Sequence, residues 1–229
     1  MTPFAPRSTR SVFVTGTDTG VGKTVASAAL LHRLRREGLR AVGMKPVASG
    51  CERTPEGLRN EDALALQAAS DPRPAYADVN PFALEIPTAP QLAARAMGVR
   101  VSADALCAAH ARMAAQADVV LVEGAGGWLA PMDDGLDQGD FARLIDARVV
   151  LVVGLRLGCL SHARLSARAI LDDGFALAGW IGNAIDPHFA ERDAYLELLR
   201  DALPAPCLGA LPFAPGADPA TLAASLSLP

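Results

Sequence analysis

A glycine-rich loop near the N-terminus carries residues that could bind a polyphosphate. The apolar run at residues 11–15 is followed by Gly16-Thr17-Asp18-Thr19-Gly20-Val21-Gly22-Lys23-Thr24 and then by an Ala- and Leu-rich helical pattern. Glycines allow backbone N–H groups to approach phosphates closely, and a helix N-terminus adds partial positive charge. Lys23 could supply a full charge to the β- and γ-phosphates, and the Thr24 hydroxyl could bind Mg²⁺. The segment therefore predicts a strand, a phosphate loop and a helix that together bind ATP or GTP.

The loop departs by one residue from the pattern G-x-x-x-x-G-K-[ST]. That pattern needs glycine at position 17, where this chain has Thr17, and the upstream Gly16 leaves five residues before Gly22. A flexible loop that contains Gly-Lys-Thr by chance is the alternative interpretation. The strand before the loop, the helix after it and three glycines within seven residues favour the phosphate loop.

Composition and charge argue against several other classes of protein. The chain has 229 residues, of which 51% are hydrophobic, and a net charge of −4 with a pI of about 5.6. This hydrophobic content is typical of a globular core, and the acidic balance argues against a nucleic-acid binder. No apolar stretch is long enough to span a bilayer, and the four cysteines form no Cys-x-x-Cys pair. We expect a reduced, cytoplasmic protein without nucleic-acid or membrane partners.

Strand-like and helical patterns alternate along the chain. The predicted strands are residues 11–15, 41–45, 119–123, 149–154, 177–183 and 207–211. The predicted helices are residues 23–37, 61–69, 103–116, 161–173 and 189–202, with Asn60 and Ser102 as N-caps and Gly38 and Gly174 as terminators. The alternation predicts a single-domain α/β fold of the phosphate-loop NTPase type, with a mostly parallel sheet flanked by helices. We expect residues 1–10 to be a flexible tail and residues 11–229 to form the domain.

Further candidate residues follow the predicted strands, where parallel sheets bind ligands. Glu123 ends a strand and precedes a glycine-rich run, which is the position of the carboxylate that holds Mg²⁺ in phosphate-loop enzymes. The alternative is a carboxylate at a strand end that faces solvent. Lys45 ends another strand and could neutralise a second anion or a transferring phosphoryl group, or be an ordinary edge lysine. Ser49 could bind an anionic group. Asp62 lies at the start of a helix, where its negative charge interacts favourably with the helix dipole. Spacing alone does not decide whether it also binds the metal.

Taken together, these segments resemble those of the dethiobiotin synthetases, which act in biotin synthesis. The similar segments are residues 14–24, which resemble the family's lengthened phosphate loop, residues 45–50, which resemble its substrate-lysine segment, and residues 54–63, 122–128, 157–159 and 178–180. The resemblance covers residues 12 to about 213. It accounts for the additional residue in the loop.

The resemblance implies a ligase that uses ATP to close the ring of dethiobiotin from 7,8-diaminononanoate and CO₂ or bicarbonate, through a carbamate and a carbamic–phosphoric anhydride. It also implies a homodimer and Mg²⁺ as the cofactor, held by Thr24, Asp62 and Glu123. The implied catalytic residues are Lys45 and Lys23. The implied ATP-binding residues are Thr19, Gly20, Val21, Gly22, Lys23, Thr24, Val25, Asp62, Glu123, Gly124, Ala125, Gly126, Asn183, Pro212, Phe213 and Ala214. The implied substrate-binding residues are Lys45, Ser49, Arg156 and Ser161.

Three positions depart from the family pattern. Asn183, expected at the adenine, is followed by Ala184, whereas the family commonly has Asp. The family holds the carboxylate tail of the substrate with a segment of the second subunit, here residues 156–161, and often has Lys and Asn where this chain has Arg156 and Ser161. Arg156 could pair with a carboxylate through two parallel hydrogen bonds. We expect the contacts to adenine and to the tail to differ from those of other members.

Three alternative functions remain at this stage. A nucleotide-switch ATPase of the partition or division-site type shares the fold, but it usually has a second lysine near the start of the loop, where this chain reads Gly16-Thr17-Asp18. The C-terminal residues 217–229 also lack a basic amphipathic pattern. A catalytically silent relative is disfavoured because the implied catalytic residues and metal ligands are all present. An enzyme of the same architecture with another diamine or amide-forming substrate stays open.

Overall fold

Twelve strands and nine α-helices make up the part of the chain that a computed structural model describes, residues 10–229. The strands are β1 (Arg10–Gly16), β2 (Ala41–Met44), β3 (Val47–Ala48), β4 (Glu52–Thr54), β5 (Gly57–Arg59), β6 (Phe82–Ala83), β7 (Val119–Gly127), β8 (Pro131–Asp133), β9 (Leu136–Asp137), β10 (Arg148–Leu155), β11 (Leu177–Ala184) and β12 (Cys207–Leu211). The helices are α1 (Lys23–Arg36), α2 (Glu61–Ala69), α3 (Tyr76–Val79), α4 (Pro90–Met97), α5 (Ala103–Ala114), α6 (Gln138–Leu144), α7 (Cys159–Asp172), α8 (Arg192–Ala202) and α9 (Pro219–Leu222), and a 3₁₀ turn covers Ala223–Ser225.

Six strands form the central sheet in the order β12-β11-β10-β1-β7-β2, and every neighbouring pair is parallel. These are the six predicted strands, so the prediction of a mostly parallel sheet flanked by helices is confirmed. The carboxyl ends of parallel strands meet at one edge of a sheet. The order β1-β7-β2 therefore brings the phosphate loop, Glu123 and Lys45 to neighbouring positions at that edge.

The central strands are buried on both faces, which explains their continuous apolar runs. Along β1, Phe13 packs into one apolar cluster, whereas Val12 and Val14 pack into the other. Successive side chains of a strand point to opposite faces, so the sheet separates the two clusters. Helices α1 and α9 contribute to the cluster of Val12, and α5 to α8 contribute to the cluster of Phe13. The resulting core holds the loops of the carboxyl edge on a rigid base.

The predicted helix ends agree with the structure at four caps. The Asn60 side chain accepts a hydrogen bond of 3.2 Å from the backbone N–H of Ala63, and Ser102 caps α5 in the same way. Gly38 and Gly174 follow α1 and α7 with φ angles of 77° and 83°, a left-handed conformation that ends helices. Helix α7 begins at Cys159, earlier than predicted, and α8 begins at Arg192, later than predicted.

Several short elements between β2 and α5 were absent from the prediction. They are β3 to β6, α3 and α4, and they follow β2 along the chain. Helix α4 begins at Pro90 and ends before Gly98, which has a φ of 65°. Proline in the first turn and glycine after the last is a sequence signal of a helix, so α4 was predictable.

The sequence predicts a flexible tail over residues 1–10 and no segment that spans a membrane. Residues 1–9 of the predicted tail lie outside the described residues, and Arg10 is the first residue of β1. Among residues 10–229, every helix is too short or too polar to cross a membrane.

Candidate active site

A cavity of about 550 Å³ lies at the carboxyl ends of β1, β7 and β2. Its walls are the phosphate loop, the end of β7 and the segments that follow β2. Predicted site residues that line it are Thr19, Gly20, Gly22, Lys23, Thr24, Lys45, Ser49, Asp62, Glu123, Ala125 and Gly126. Lining residues that the sequence did not suggest are Ala48, Asn60, Thr88, Ala89, Pro90 and Ala130. The structure thus gathers most of the predicted residues at one site.

The phosphate loop depends on glycine where another element touches it. Gly22 has a φ of 83°, and a Cβ atom added there would lie 2.0 Å from Nδ2 of Asn183. The same Nδ2 donates a hydrogen bond of 2.9 Å to the carbonyl oxygen of Val21. Asn183, near the end of β11, therefore holds the phosphate loop through this hydrogen bond. Any side chain at position 22 would displace the Asn183 amide.

Lys23 is buried in the loop without a carboxylate partner. Its side-chain Nζ donates a hydrogen bond of 2.9 Å to the carbonyl oxygen of Asp18, and within residues 10–229 it forms no ion pair. Burial, together with the positive charge of Lys45, lowers the pKa of Lys23 to about 8. The loop therefore presents an ammonium group whose charge is not neutralised by the protein.

Lys45 lies in the opposite electrostatic environment. Its Nζ is 2.7 Å from Oε1 of Glu123 and 3.2 Å from Oδ2 of Asp62, and it donates to the carbonyl oxygen of Gly124 at 3.3 Å. Burial acts to lower the pKa of Lys45, but the two carboxylates outweigh burial and raise it. Burial likewise acts to raise the pKa of Asp62, and the charge of Lys45 lowers it overall. Lys45 and Asp62 are therefore both charged at neutral pH.

The oxygen atoms beside the loop fit a Mg²⁺ ion. The Thr24 hydroxyl donates a hydrogen bond of 2.9 Å to Oε1 of Glu123, and Asp62 lies across Lys45 from that carboxylate. The second oxygen of Glu123, Oε2, is buried and has no hydrogen-bond partner in the described chain. No group of three His, Cys, Asp or Glu side chains in residues 10–229 could hold a metal ion. Mg²⁺ takes few protein ligands and completes its octahedron with phosphate oxygens and water, so a hydroxyl and two carboxylates suffice.

Gln138, at the start of α6, fixes the glycine-rich run that follows Glu123. Its Oε1 accepts a hydrogen bond of 3.0 Å from the Ala125 N–H, and its Nε2 donates to the carbonyl oxygens of Ala125 and Gly127 at 2.8 and 2.7 Å. A Cβ atom at Gly124 would lie 2.0 Å from Oε1 of Gln138. Gln138 is fully buried, and it was not among the residues predicted from the sequence. The buried amide keeps this wall of the cavity in one conformation.

Several predicted residues lie at the same edge of the sheet but outside the cavity lining. Arg156, after β10, forms an exposed ion pair of 2.7 Å with Asp18 of the phosphate loop. Ser161 is exposed on α7, and Val25 is exposed on α1. The segment 212–214 is exposed and follows β12, the neighbour of the strand that carries Asn183. The roles of these residues in binding adenine and the substrate tail stay predictions.

The chain is similar to known proteins along almost its whole length. A family model described as an AAA domain matches residues 10–221. The ATP-dependent dethiobiotin synthetase BioD of Xanthomonas euvesicatoria pv. vesicatoria (strain 85-10) is 57% identical over 95% of this chain and 97% of its own length. The protein of the same name from Xylella fastidiosa (strain 9a5c) is 58% identical over 96% of this chain and 97% of its own length.

Solved structures support the fold. The signal recognition particle receptor FtsY of Elizabethkingia anophelis in complex with GDP superimposes with a TM-score of 0.54 and 18% identity, over 99% of this chain and 62% of that one. A chain of the MinC:MinD cell division complex of Aquifex aeolicus has a TM-score of 0.54 and 18% identity, over 90% of this chain and 82% of that one. At these identities the similarity concerns the fold alone.

Proposed function

Since the chain belongs to the family of ATP-dependent dethiobiotin synthetases, we propose that it is an ATP-dependent, ring-closing ligase of biotin biosynthesis. Its substrates are 7,8-diaminononanoate, CO₂ or bicarbonate, and ATP, and its products are dethiobiotin, ADP and phosphate. The observation that carries this proposal is the Lys45 ammonium group, which lies between two carboxylates in the same cavity as the phosphate loop.

The reaction forms two carbon–nitrogen bonds and uses one ATP. One amine of the substrate adds to CO₂ and loses a proton, which gives a carbamate. A carbamate oxygen attacks the γ-phosphorus of ATP, the bond to the bridging oxygen breaks, and ADP leaves with the electron pair. The product of that step is a carbamic–phosphoric anhydride. The second amine then attacks the carbonyl carbon, phosphate leaves, and the ring of the cyclic urea closes.

Lys45 stabilises negative charge and does not act as a base. The two carboxylates raise its pKa, so Lys45 keeps its proton at neutral pH. A fixed, buried ammonium group stabilises charge that develops on the carbamate and on the transferring phosphoryl group. Ser49 follows on the same segment and lines the cavity, where its hydroxyl can bind the carbamate. The segment after β2 therefore serves the reacting end of the diamine.

The phosphate loop binds the other substrate. The backbone N–H groups of residues 20–24 and the Lys23 ammonium group bind the β- and γ-phosphates. Thr24, Asp62 and Glu123 are the residues that would hold Mg²⁺, which when bound neutralises charge on the phosphates. Catalysis then consists mainly of positioning and charge neutralisation, because the substrates carry the reactive groups.

The remaining assignments extend the site along the edge of the sheet. Asn183 and the segment 212–214 bind the adenine. Arg156 and Ser161 bind the carboxylate tail of the diamine across a homodimer interface. Arg156 is suited to that role because its ion pair with Asp18 is exposed, so exchange of one carboxylate for another costs little. We place the enzyme in the cytoplasm.

The test measures phosphate release by the purified protein with MgATP and bicarbonate, with and without 7,8-diaminononanoate. We expect release that requires the diamine, at one phosphate for each cyclic urea formed. ATP turnover that ignores the diamine would contradict the ligase and favour the nucleotide-switch ATPase. ATP binding without turnover would favour a catalytically silent relative.

A further inference from the structure

Two side chains outside the cavity lining, Tyr76 and Asn80, connect the segment of Lys45 to the helix of Asp62. The Asn80 Nδ2 donates a hydrogen bond of 2.8 Å to the carbonyl oxygen of Lys45. Its Oδ1 accepts one of 3.2 Å from the Tyr76 hydroxyl, and that hydroxyl accepts one of 2.8 Å from the backbone N–H of Asn60. A continuous chain of hydrogen bonds therefore runs from the main chain of Lys45 to the main chain of Asn60.

Asn60 in turn sets the position of Asp62. It is the N-cap of α2, and its side chain accepts the N–H of Ala63, so the first turn of the helix is tied to it. Asp62 is the second residue of that helix, and its Oδ2 lies 3.2 Å from Nζ of Lys45. The hydrogen-bond chain and this ion pair form a closed ring, in which Lys45 and Asp62 are linked both through their side chains and through their backbones.

The two linking residues belong to one short unit. Tyr76 begins α3, and Asn80 is the C-cap of the same helix. The backbone N–H of Lys45 also donates a hydrogen bond of 2.7 Å to the carbonyl oxygen of Val79 in this helix. Asn80 is 3% exposed, and neither Tyr76 nor Asn80 lines the cavity. The unit therefore acts on the site through the backbone that it holds, without touching the substrates.

We propose that Tyr76 and Asn80 are positioning residues that hold Lys45 and Asp62 at the separation the reaction requires. This inference rests on the proposed function. A preorganised site loses rate when its charged groups shift by a fraction of an ångström to an ångström, because their stabilisation depends on distance. Loss of the Tyr76 hydroxyl leaves the Asn60 N–H and the Asn80 Oδ1 without these partners, so the start of α2 is released while α3 still holds the Lys45 backbone.

The network does not include the phosphate loop, and this gives the inference a specific signature. Release of α2 shifts Asp62 and weakens the hold on Mg²⁺, whereas Lys23 and the loop glycines keep their positions. A variant that merely loses stability behaves differently, because a smaller fraction of active enzyme lowers kcat without changing the Mg²⁺ concentration needed for half-maximal rate. The Mg²⁺ requirement therefore separates a positioning role from a structural one.

The experiment compares Tyr76→Phe with Tyr195→Phe, which changes the only other tyrosine of the chain. Tyr195 lies on α8, where its ring packs edge-on against Phe189 at 4.8 Å, far along the sequence from the network. Diamine-dependent phosphate release is measured across Mg²⁺ concentrations, and ATP binding is measured in EDTA. For Tyr76→Phe we expect kcat to fall roughly tenfold to a hundredfold and the Mg²⁺ requirement to rise, as for outer partners of metal ligands. ATP affinity in EDTA should match the wild type, and Tyr195→Phe should match it in every readout.

A second variant, Asn80→Asp, keeps the acceptor for Tyr76 but replaces the donor to the Lys45 carbonyl. We expect its kcat to fall as well, and the double variant to be no slower than the slower single variant, because both changes break one chain. Unchanged kcat in Tyr76→Phe, a fall in kcat without a higher Mg²⁺ requirement, or multiplicative effects in the double variant would overturn the inference. Wild-type enzyme without diamine-dependent release would instead overturn the proposed function.

Discussion

The two lysines of this chain, Lys23 and Lys45, line one cavity and differ in what neutralises them. Both are buried, at 7% and 5% exposure. Lys45 has Glu123 and Asp62 within ion-pair distance, whereas Nζ of Lys23 has, among residues 10–229, the carbonyl oxygen of Asp18 as its hydrogen-bond acceptor and no ion pair. The pKa of Lys45 is raised, and that of Lys23 is lowered to about 8.

The difference shows how one site handles two anions. A buried charge is costly unless it is paired. The two carboxylates beside Lys45 hold its ammonium group in place in the free protein, and under the proposed function that group is preorganised for the reacting carbamate. Under the proposed function, the phosphates of ATP supply the close counter-charge that Lys23 lacks within the described part of the free protein. The lysine of the phosphate loop is thus without an ion-pair partner among the described residues, whereas the lysine that follows β2 already has two.

The largest expected contrast concerns stability. Lys45→Ala leaves Glu123, which is 0% exposed, without its ion pair, and should lower the free energy of unfolding by about 3–5 kcal/mol. Lys23→Ala removes a buried charge that has no carboxylate partner, so it should leave the stability unchanged or raise it. Urea unfolding of the ligand-free proteins measures both. Equal losses in the two variants would contradict the comparison.

The next largest effect concerns turnover. Lys45→Ala, assayed on its folded fraction, should lower kcat by about 10²–10³, the effect of removing one preorganised electrostatic group. Diamine-dependent phosphate release at saturating MgATP gives the rate. If the rate is unaltered, Lys45 has no role in stabilising the reacting groups.

A third prediction concerns pH and Lys23. The phosphates of ATP raise the pKa of Lys23 in the complex above its value of about 8 in the free protein. The favourable charge–charge interaction is fully present below pH 8 and is lost as the pH rises, so ATP affinity should fall by about tenfold per pH unit above 8. Lys23→Arg keeps its charge and should show a much smaller decline by calorimetry. Identical slopes would show that another group titrates.

The smallest expected effect concerns Thr24. Thr24→Val keeps the shape of the side chain and removes the hydroxyl, and Glu123 keeps its ion pair with Lys45. We expect the Mg²⁺ concentration for half-maximal rate to rise by roughly threefold to tenfold, the worth of one polar contact. Thr17→Val, at the position where the loop departs from the common pattern, is the matched control. An unaltered metal dependence in Thr24→Val would argue against Thr24 as a ligand.

The sequence predicted the parts of the site that depend on strand ends. Continuous apolar runs identified the six strands, and parallel pairing then required the phosphate loop, Lys45 and Glu123 to meet at one edge. Asp62 was different, because its position depends on how residues 46–60 fold back over the sheet. The spacing left it open, the resemblance implied its role, and the structure places it 3.2 Å from Lys45.

Other contacts of the site had no signal in the sequence. Asn80 reaches Lys45 across 35 residues and Tyr76 reaches Asn60 across 16, through single hydrogen bonds that follow no periodic pattern. Gln138 stands between Asp137 and Gly139 in the sequence, so nothing in its local pattern indicates that the folded chain buries it completely. The structural role of such residues can be identified in the folded protein, by assigning a hydrogen-bond partner to each buried polar group.

The placement of both lysines in the cavity also determines how the protein reacts with amine reagents. The other 19 basic residues, apart from histidine, are arginines, so the outer surface presents no ε-amine to an acylating label. Lys23, partly uncharged near pH 8, is the ε-amine that such a label should modify first, and bound ATP should protect it. Coupling the enzyme to a support through its lysines would therefore inactivate it.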